Sequence, residues 1–168
     1  GLLGSNHAGK NIYISMNTFF KPERTVDKLK RLNALYVDID CYKLGLNNLS
    51  VFYQLEQEYF GTEIPVPTFV IDSGRGLYLI WKLQNEDRNA LPRWTKVQKY
   101  LTDKLKDFGA DPACKDSARI LRLPFTVNEK SGTEVSILQF NDLTYKIAEI
   151  QDDYHICLLY TSPSPRDY

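Results

Sequence analysis

Two aspartates, Asp38 and Asp40, close an apolar run that begins at Ala34. Residues 35–37 are typical of a buried β-strand, and side chains two positions apart on a strand point to the same face. Two carboxylates held side by side repel each other unless a cation lies between them, and carboxylate oxygens are ligands that Mg²⁺ and Mn²⁺ prefer. The pair therefore predicts a metal site at the end of a strand. An Asx turn, in which Asp40 caps the following segment, is the alternative interpretation.

A glycine-rich tip, from Ser73 to Gly76 with Arg75 inside it, lies in a predicted hairpin over residues 68–83. Glycine lets a backbone approach an anion closely, and a guanidinium binds phosphate oxygens in a fork. The tip therefore fits a triphosphate or a nucleic-acid backbone phosphate. A plain hairpin turn with an exposed arginine is the alternative, because short glycine-rich turns are common.

A third charged stretch supplies further carboxylates and two arginines. Asp111 and Asp116 precede Arg119 and Arg122, which stand three residues apart. A third carboxylate that reached the first pair would complete a two-metal site, which activates a 3′-hydroxyl and steadies a departing pyrophosphate. The arginines would then neutralise the triphosphate. A surface network of salt bridges explains the same residues without any catalysis.

The composition excludes some classes of protein and leaves others open. The chain has 168 residues, of which 21 are basic and 21 acidic, so its net charge is zero. A net charge of zero argues against a generally basic surface but not against a local basic groove. Cys41, Cys114 and Cys157 have no metal-ligand spacing and form no obvious disulfide framework; the missing framework favours a reducing, cytoplasmic compartment. We find neither a signal peptide nor an apolar run long enough to span a membrane.

Strand and helix patterns are mixed along the chain, which predicts an α+β fold. The predicted strands cover residues 11–15, 34–40, 68–71, 77–83 and 133–140. The predicted helices cover residues 26–32, 49–60, 90–108 and a short final segment that ends at 150.

We assign residues 1–156 to one domain, which is long enough for a hydrophobic core. Residues 157–168 have no periodicity, carry two Ser-Pro steps and resemble translated sequencing-adapter DNA. We expect that tail to be non-native and disordered, and the domain to be part of a longer protein.

Together the three stretches resemble the catalytic domain of archaeo-eukaryotic-type primases, and more closely the primase-polymerase domains of plasmids, phages and integrative elements. The first motif of that family is a strand ending in DxD or DxE, which residues 38–40 match. The second is a hairpin, often glycine-rich, and residues 73–78 stand at its place. The third is an acidic residue followed eight positions later by an arginine pair, which Asp111, Arg119 and Arg122 fit.

The resemblance extends over residues 11 to 140 and includes the run from Arg122 to Lys130, which is similar to the family's R-x-P-G-T-x-N-x-K. The chain also departs from the pattern. Tyr78 replaces a histidine of the second motif, Gly76 replaces its serine, and Phe125 replaces the glycine after the proline. A zinc-binding stem found in some relatives has no candidate ligands here.

The resemblance implies a fold and a role for each site residue. The fold is an RRM-like palm sheet with flanking helices beside a small N-terminal αβ unit. The implied ligands of two divalent ions, Mg²⁺ or Mn²⁺, are Asp38, Asp40 and Asp111, with Asp116 as a rival that the spacing disfavours. The implied nucleotide-binding residues are Ser73, Arg75, Tyr78, Arg119, Arg122 and Lys130.

The leading hypothesis is therefore a template-dependent nucleotidyltransferase in the replication of a mobile element. It would use single-stranded DNA as template and NTPs or dNTPs as substrates, beside a helicase or DNA-binding domain of the full-length protein, with no membrane partner. Two alternatives stay open. One is a non-catalytic module that binds single-stranded DNA, and the other is a metal-dependent nuclease.

Overall fold

The computed structural model describes residues 13–19, 24–114, 117, 120–122 and 124–157. Within these residues it contains nine β-strands and three α-helices. The strands are β1 (Tyr13–Ser15), β2 (Thr18–Phe19), β3 (Leu29–Ile39), β4 (Phe69–Asp72), β5 (Leu77–Asp87), β6 (Ile120–Arg122), β7 (Val127–Asn128), β8 (Thr133–Glu134) and β9 (Ser136–Phe140). The helices are α1 (Asn48–Glu58), α2 (Leu91–Lys104) and α3 (Ile147–Asp153).

The main sheet is antiparallel and has five strands in the order β2-β3-β5-β4-β9. Two small sheets accompany it, one made by β1 and β6 and the other by β7 and β8. This combination of an antiparallel sheet with separate helices confirms the α+β prediction. None of the helices in the described part of the chain has the length and apolarity needed to cross a bilayer.

The centre of the core is the long pairing of β3 with β5, which joins Ile39 to Leu77 at one end and Arg31 to Asp87 at the other. The side chains of these two strands are mostly buried, and Trp81 of β5 is fully so. Its indole Nε1 donates to the carbonyl of Pro65 at 2.8 Å, so burial of the ring leaves no polar atom unsatisfied. A packed centre of this kind fixes the end of β3, where the aspartates lie.

Side chains complete the outer edge of β3, where the pairing with β2 stops at Arg31. Asn17 Oδ1 accepts from the amides of Asn33 at 2.8 Å and Ala34 at 3.4 Å. The indole of Trp94 in α2 donates to the Ala34 carbonyl at 2.9 Å. Buried backbone groups need such partners, so these contacts take the place of a neighbouring strand.

Several predicted elements are right, and several predicted boundaries are wrong, among them the end of the final helix, which reaches Asp153 rather than residue 150. The helices near 49–60 and 90–108 and the glycine hairpin are confirmed. The predicted helix over 26–32 is wrong beyond Lys28, because β3 already begins at Leu29 and pairs with β2 and β5. The predicted strand over 133–140 is divided at Val135, whose backbone bonds instead to Phe125 and Thr126. Residues 158–168 of the predicted tail lie outside the described residues.

Candidate active site

A polar cavity of about 320 Å³ opens at the end of β3. It gathers most of the residues that the sequence marks as candidates. The predicted residues that line it are Asp38, Asp40, Ser73, Arg75, Tyr78, Arg122 and Lys130. Asp111 is not among the lining residues, and Arg119 and Asp116 lie outside the described residues.

The strand pairing places Asp38 beside Tyr78, because the two are direct cross-strand partners on β3 and β5. Asp40 follows the end of β3, and its carboxylate forms an ion pair with Lys43 at 3.0 Å. That hydrogen bond raises the pKa of the exposed Lys43. Both aspartates line the cavity and are partly buried. Two such carboxylates with hard oxygen donors fit a divalent cation.

The third predicted carboxylate belongs to Asp111, whose backbone bonds to the strand of the first two but whose side chain does not line the cavity. The amide of Asp111 donates to the Asp38 carbonyl at 2.8 Å, and the amide of Asp40 donates to the Gly109 carbonyl at 2.8 Å. The Asp111 carboxylate, however, accepts from the amide of Ala113 at 2.9 Å. Among the described residues, no three acidic, histidine or cysteine side chains are arranged to hold a metal. The role of Asp111 as a ligand thus stays a prediction.

The glycine tip packs against the chain itself. A Cβ atom on Gly76 would fall on the carbonyl oxygen of Ile39, so only glycine lets the tip approach this backbone. The amide of Gly76 donates to Ser73 Oγ at 3.2 Å, and Asn128 Nδ2 donates to the Ser73 carbonyl at 2.6 Å. Gly76 therefore holds the tip against the strand that carries the aspartates, which explains why a serine is absent there.

Tyr78, at the place of the motif histidine, is a neutral group. Burial, and after it the negative charge of Asp38, raises the pKa of its phenol to about 12. The amide of Arg122 donates to Tyr78 Oη at 3.3 Å. Because that contact uses the oxygen as acceptor, the phenol proton remains available as a donor.

Sequence reasoning missed two tyrosines that line the cavity. The guanidinium of Arg75 lies 4.7 Å from the ring centroid of Tyr42, and that of Arg122 lies 5.0 Å from the centroid of Tyr13. Both tyrosines line the cavity and are 45% exposed. The position of Tyr42, two residues after Asp40, is the signal that could have revealed it.

Asn128 also lines the cavity and was not predicted as a site residue, although it matches the asparagine of the family's R-x-P-G-T-x-N-x-K run. Its side chain is buried and joins two parts of the site. Nδ2 bonds to Ser73, and Oδ1 accepts from the amide of Lys130 at 3.0 Å. Asn128 therefore connects the glycine tip to the turn that carries Lys130.

Comparison with known proteins gives one curated relative and one solved structure. No protein-family model matches the chain. A Replication protein of Clostridium perfringens is 48% identical over 145 residues, which are 86% of this chain and 36% of that protein. The chain thus spans little more than a third of the length of this curated relative.

The AEP domain of the Cyanophage S-2L Primase-Polymerase (PrimPol) superposes with a TM-score of 0.64 at 17% identity. The match covers 84% of this chain and 69% of that chain. It confirms, at the level of the fold, the resemblance that the three motifs indicate. This chain has the fold of an archaeo-eukaryotic primase domain.

Proposed function

We propose that this chain is the catalytic domain of a primase-polymerase, which joins nucleotides in the order set by a single-stranded DNA template. One observation carries the proposal: a single cavity gathers residues from three motifs that are distant in sequence. The first motif contributes Asp38 and Asp40, the second the glycine tip with Tyr78, and the third Arg122. The relative's name and the shared fold support the same role.

Asp38 and Asp40 would hold the divalent ions, Mg²⁺ or Mn²⁺, because they present hard oxygen donors to one cavity. Asp111 would join them once its carboxylate releases the amide of Ala113. Held there by the carboxylates, two such ions would supply activation of the attacking 3′-hydroxyl and neutralisation of charge on the departing pyrophosphate. The protein then needs no nucleophilic side chain, and its task is positioning.

The cationic side of the cavity would bind the incoming triphosphate. Arg122 and Lys130 line it, and Arg119 is proposed to act with them. Tyr78 would donate its phenol proton to a phosphate oxygen, in place of a charged histidine. Arg75 and Ser73, at the glycine tip, would border the same nucleotide. Positive charge on this side of the cavity would attract the triphosphate and hold it through charge-assisted hydrogen bonds.

Primer synthesis on single-stranded DNA with Mn²⁺ and labelled nucleotides tests the proposal. We expect product from the wild type and none from the Asp38→Asn, Asp40→Asn double variant. Asp152→Asn removes an exposed carboxylate on α3 and serves as the matched control with full activity. Unchanged synthesis by the double variant would contradict the proposal. Separate reactions with NTPs and with dNTPs identify the preferred substrate. Degradation of the template by the wild type alone would indicate a nuclease.

A non-catalytic module that binds single-stranded DNA is the second candidate. It is favoured by the side chain of Asp111, which bonds within its own turn and does not line the cavity. Such a module would bind DNA equally well with Mn²⁺ and with EDTA, and it would make no product. Fluorescence anisotropy with a labelled oligonucleotide, measured beside the synthesis assay, separates the two candidates.

Since the chain spans 36% of its curated relative, we further propose that a helicase or DNA-binding domain works with it in the full-length protein.

A further inference from the structure

We propose that Gln98, a buried residue of α2, positions the turn that carries Asp111 against the strand that carries Asp38. This inference rests on the proposed function, because it assigns a positioning role within the same site. Gln98 has no solvent-exposed surface and does not line the cavity. It is absent from every motif that marks the site in the sequence.

The side-chain amide of Gln98 makes three hydrogen bonds to backbone atoms. Its Oε1 accepts from the amide of Tyr36 at 3.1 Å. Its Nε2 donates to the carbonyl of Tyr36 and, at 2.8 Å, to the carbonyl of Cys114. Both amide protons are therefore used. A buried amide left without partners would destabilise the fold, so these contacts hold the two segments together.

The two segments that Gln98 joins are those of the candidate metal ligands. Tyr36 precedes Asp38 by two residues on β3, and Cys114 follows Asp111 by three residues. The amide of Cys114 donates to the Asp111 carbonyl at 3.0 Å, and the amide of Asp111 donates to the Asp38 carbonyl at 2.8 Å. The turn is thus fixed at its start by β3 and at its end by Gln98.

The position of Gln98 distinguishes it from an ordinary core residue. The edge of β3 at Tyr36 lies between the contacts of Asn17, which end at Ala34, and the backbone contacts of Asp38. An apolar side chain could fill the same volume, but it could not bond to both backbone groups of Tyr36. The side-chain amide of Gln98 therefore bonds to the edge of β3 at Tyr36 and links this strand to the turn that carries Asp111.

The test compares Gln98→Met, which keeps the volume but loses the hydrogen bonds, with Thr102→Val. Thr102 is also buried on α2, one turn later, and its hydroxyl donates within the helix to the Gln98 carbonyl at 3.0 Å. The measurements are hydrogen exchange at the amides of Asp111 and Cys114, Mn²⁺ affinity, and the kcat and KM of nucleotide addition.

For Gln98→Met we expect exchange about tenfold faster at both amides, which corresponds to one lost hydrogen bond. We also expect Mn²⁺ affinity and kcat to fall about tenfold, because the third carboxylate is less well placed. The KM for the nucleotide should stay as in the wild type, since Arg122 and Lys130 are unchanged. Thr102→Val should match the wild type in every one of these values.

The inference is overturned if Gln98→Met retains the exchange rates and Mn²⁺ affinity of the wild type. A wild type that makes no product overturns the proposed function instead, and exchange and Mn²⁺ affinity still decide the role of Gln98.

If Gln98→Met does not fold, the wild type provides a second measurement. Because coupling between two sites is reciprocal, Mn²⁺ binding should slow exchange of the Gln98 side-chain amide protons. Exchange that is the same with and without Mn²⁺ would overturn the inference.

Discussion

The two walls of the cavity are built in different ways. The carboxylate wall consists of Asp38, Asp40 and Tyr78, and it lies at the end of the β3–β5 pairing, which runs from Arg31 and Asp87 to Ile39 and Leu77. The cationic wall consists of Arg122 on β6 and Lys130 in the turn between β7 and β8. Here β6 pairs with three residues of β1, and β7 and β8 share two residue pairs.

The two walls therefore differ in how accurately they must position their side chains. Long, buried pairing holds the carboxylate wall, as the proposed metal site would require, because ligand positions must be accurate before an ion binds. Short pairing at the surface holds the cationic wall, and charged groups there tolerate small displacements since Coulomb attraction changes slowly with distance. Substitutions that displace the backbone of the first wall should therefore affect both fold and chemistry, and those in the second mainly nucleotide affinity.

Gly76→Ala should have the largest effect, because the added Cβ would fall on the Ile39 carbonyl in the carboxylate wall. We expect a loss of about 3 kcal/mol in the free energy of unfolding from overpacking. Misplacement of the aspartates should lower kcat about 100-fold. Urea unfolding and single-turnover synthesis measure the two values.

Gly132→Ala is the control for that substitution in the cationic wall. Unlike Gly76, Gly132 has a positive φ, +71°, and a Cβ on Gly132 meets no atom within 4 Å. It should lose only about 1 kcal/mol from backbone strain and keep its kcat. Equal losses of activity in the two variants would contradict the difference between the walls.

Arg122→Ala and Lys130→Ala should weaken nucleotide binding and leave the fold intact. Hydrogen bonds to charged groups contribute about 1.5–3 kcal/mol, so the KM for the nucleotide should rise about 10- to 100-fold in each variant. Arg93→Ala removes an exposed arginine from α2 and should leave the KM unchanged. A fall in kcat at constant KM would instead place these residues at the reacting atoms.

Tyr78 joins the two walls, and its substitution tests the contact between them. Tyr78→Phe removes a hydroxyl that accepts from the Arg122 amide and is proposed to donate to phosphate. A neutral hydrogen bond contributes about 0.5–1.5 kcal/mol, so KM should rise about 3- to 10-fold. An unchanged KM would show that the hydroxyl does not bind the nucleotide.

The pH dependence of KM sharpens the same point. The phenol, with its pKa raised to about 12, stays protonated between pH 6 and 9, so it should add no pH dependence. Tyr78→His introduces an imidazole whose ordinary pKa is about 6.5, so the side chain is positive below that pH. The ratio of its KM to that of the wild type should therefore fall as the pH falls through this range. A constant ratio would mean that residue 78 is remote from the phosphates.

Parts of the carboxylate wall and its strand differ in how far the sequence predicts them. Asp38 was predicted as a site residue because strand alternation places it on the same face as Asp40, and Tyr78 because it follows the glycine tip at the place of the motif histidine. Their direct pairing across β3 and β5 was not predicted. The boundary at Leu29 was not predicted either, because the apolar spacing of Leu29 and Leu32 suits a helix as well as a strand, and pairing with distant strands decides between them.

Contacts between residues that are distant in sequence could not be predicted either. Gln98 bonds to Tyr36 and Cys114, which lie 62 and 16 residues away in sequence, so no local pattern reveals the role of its amide. The side chain of Asp111 fits the family spacing, yet its carboxylate bonds to the Ala113 amide. Spacing specifies which residue types are available, but tertiary packing decides where each side chain points.

Phe125→Gly should give the smallest effect, and it tests the backbone of the cationic wall. Phe125 has a φ of +66°, a conformation that favours glycine, and its side chain is 60% exposed. Relief of backbone strain should contribute about 1–2 kcal/mol. The greater freedom of glycine in the unfolded chain should offset about 0.5–1 kcal/mol of this gain. A net stabilisation by thermal unfolding, with unchanged kcat and KM, is expected because the wall tolerates local change; a loss of stability would show that the exposed ring packs against its neighbours.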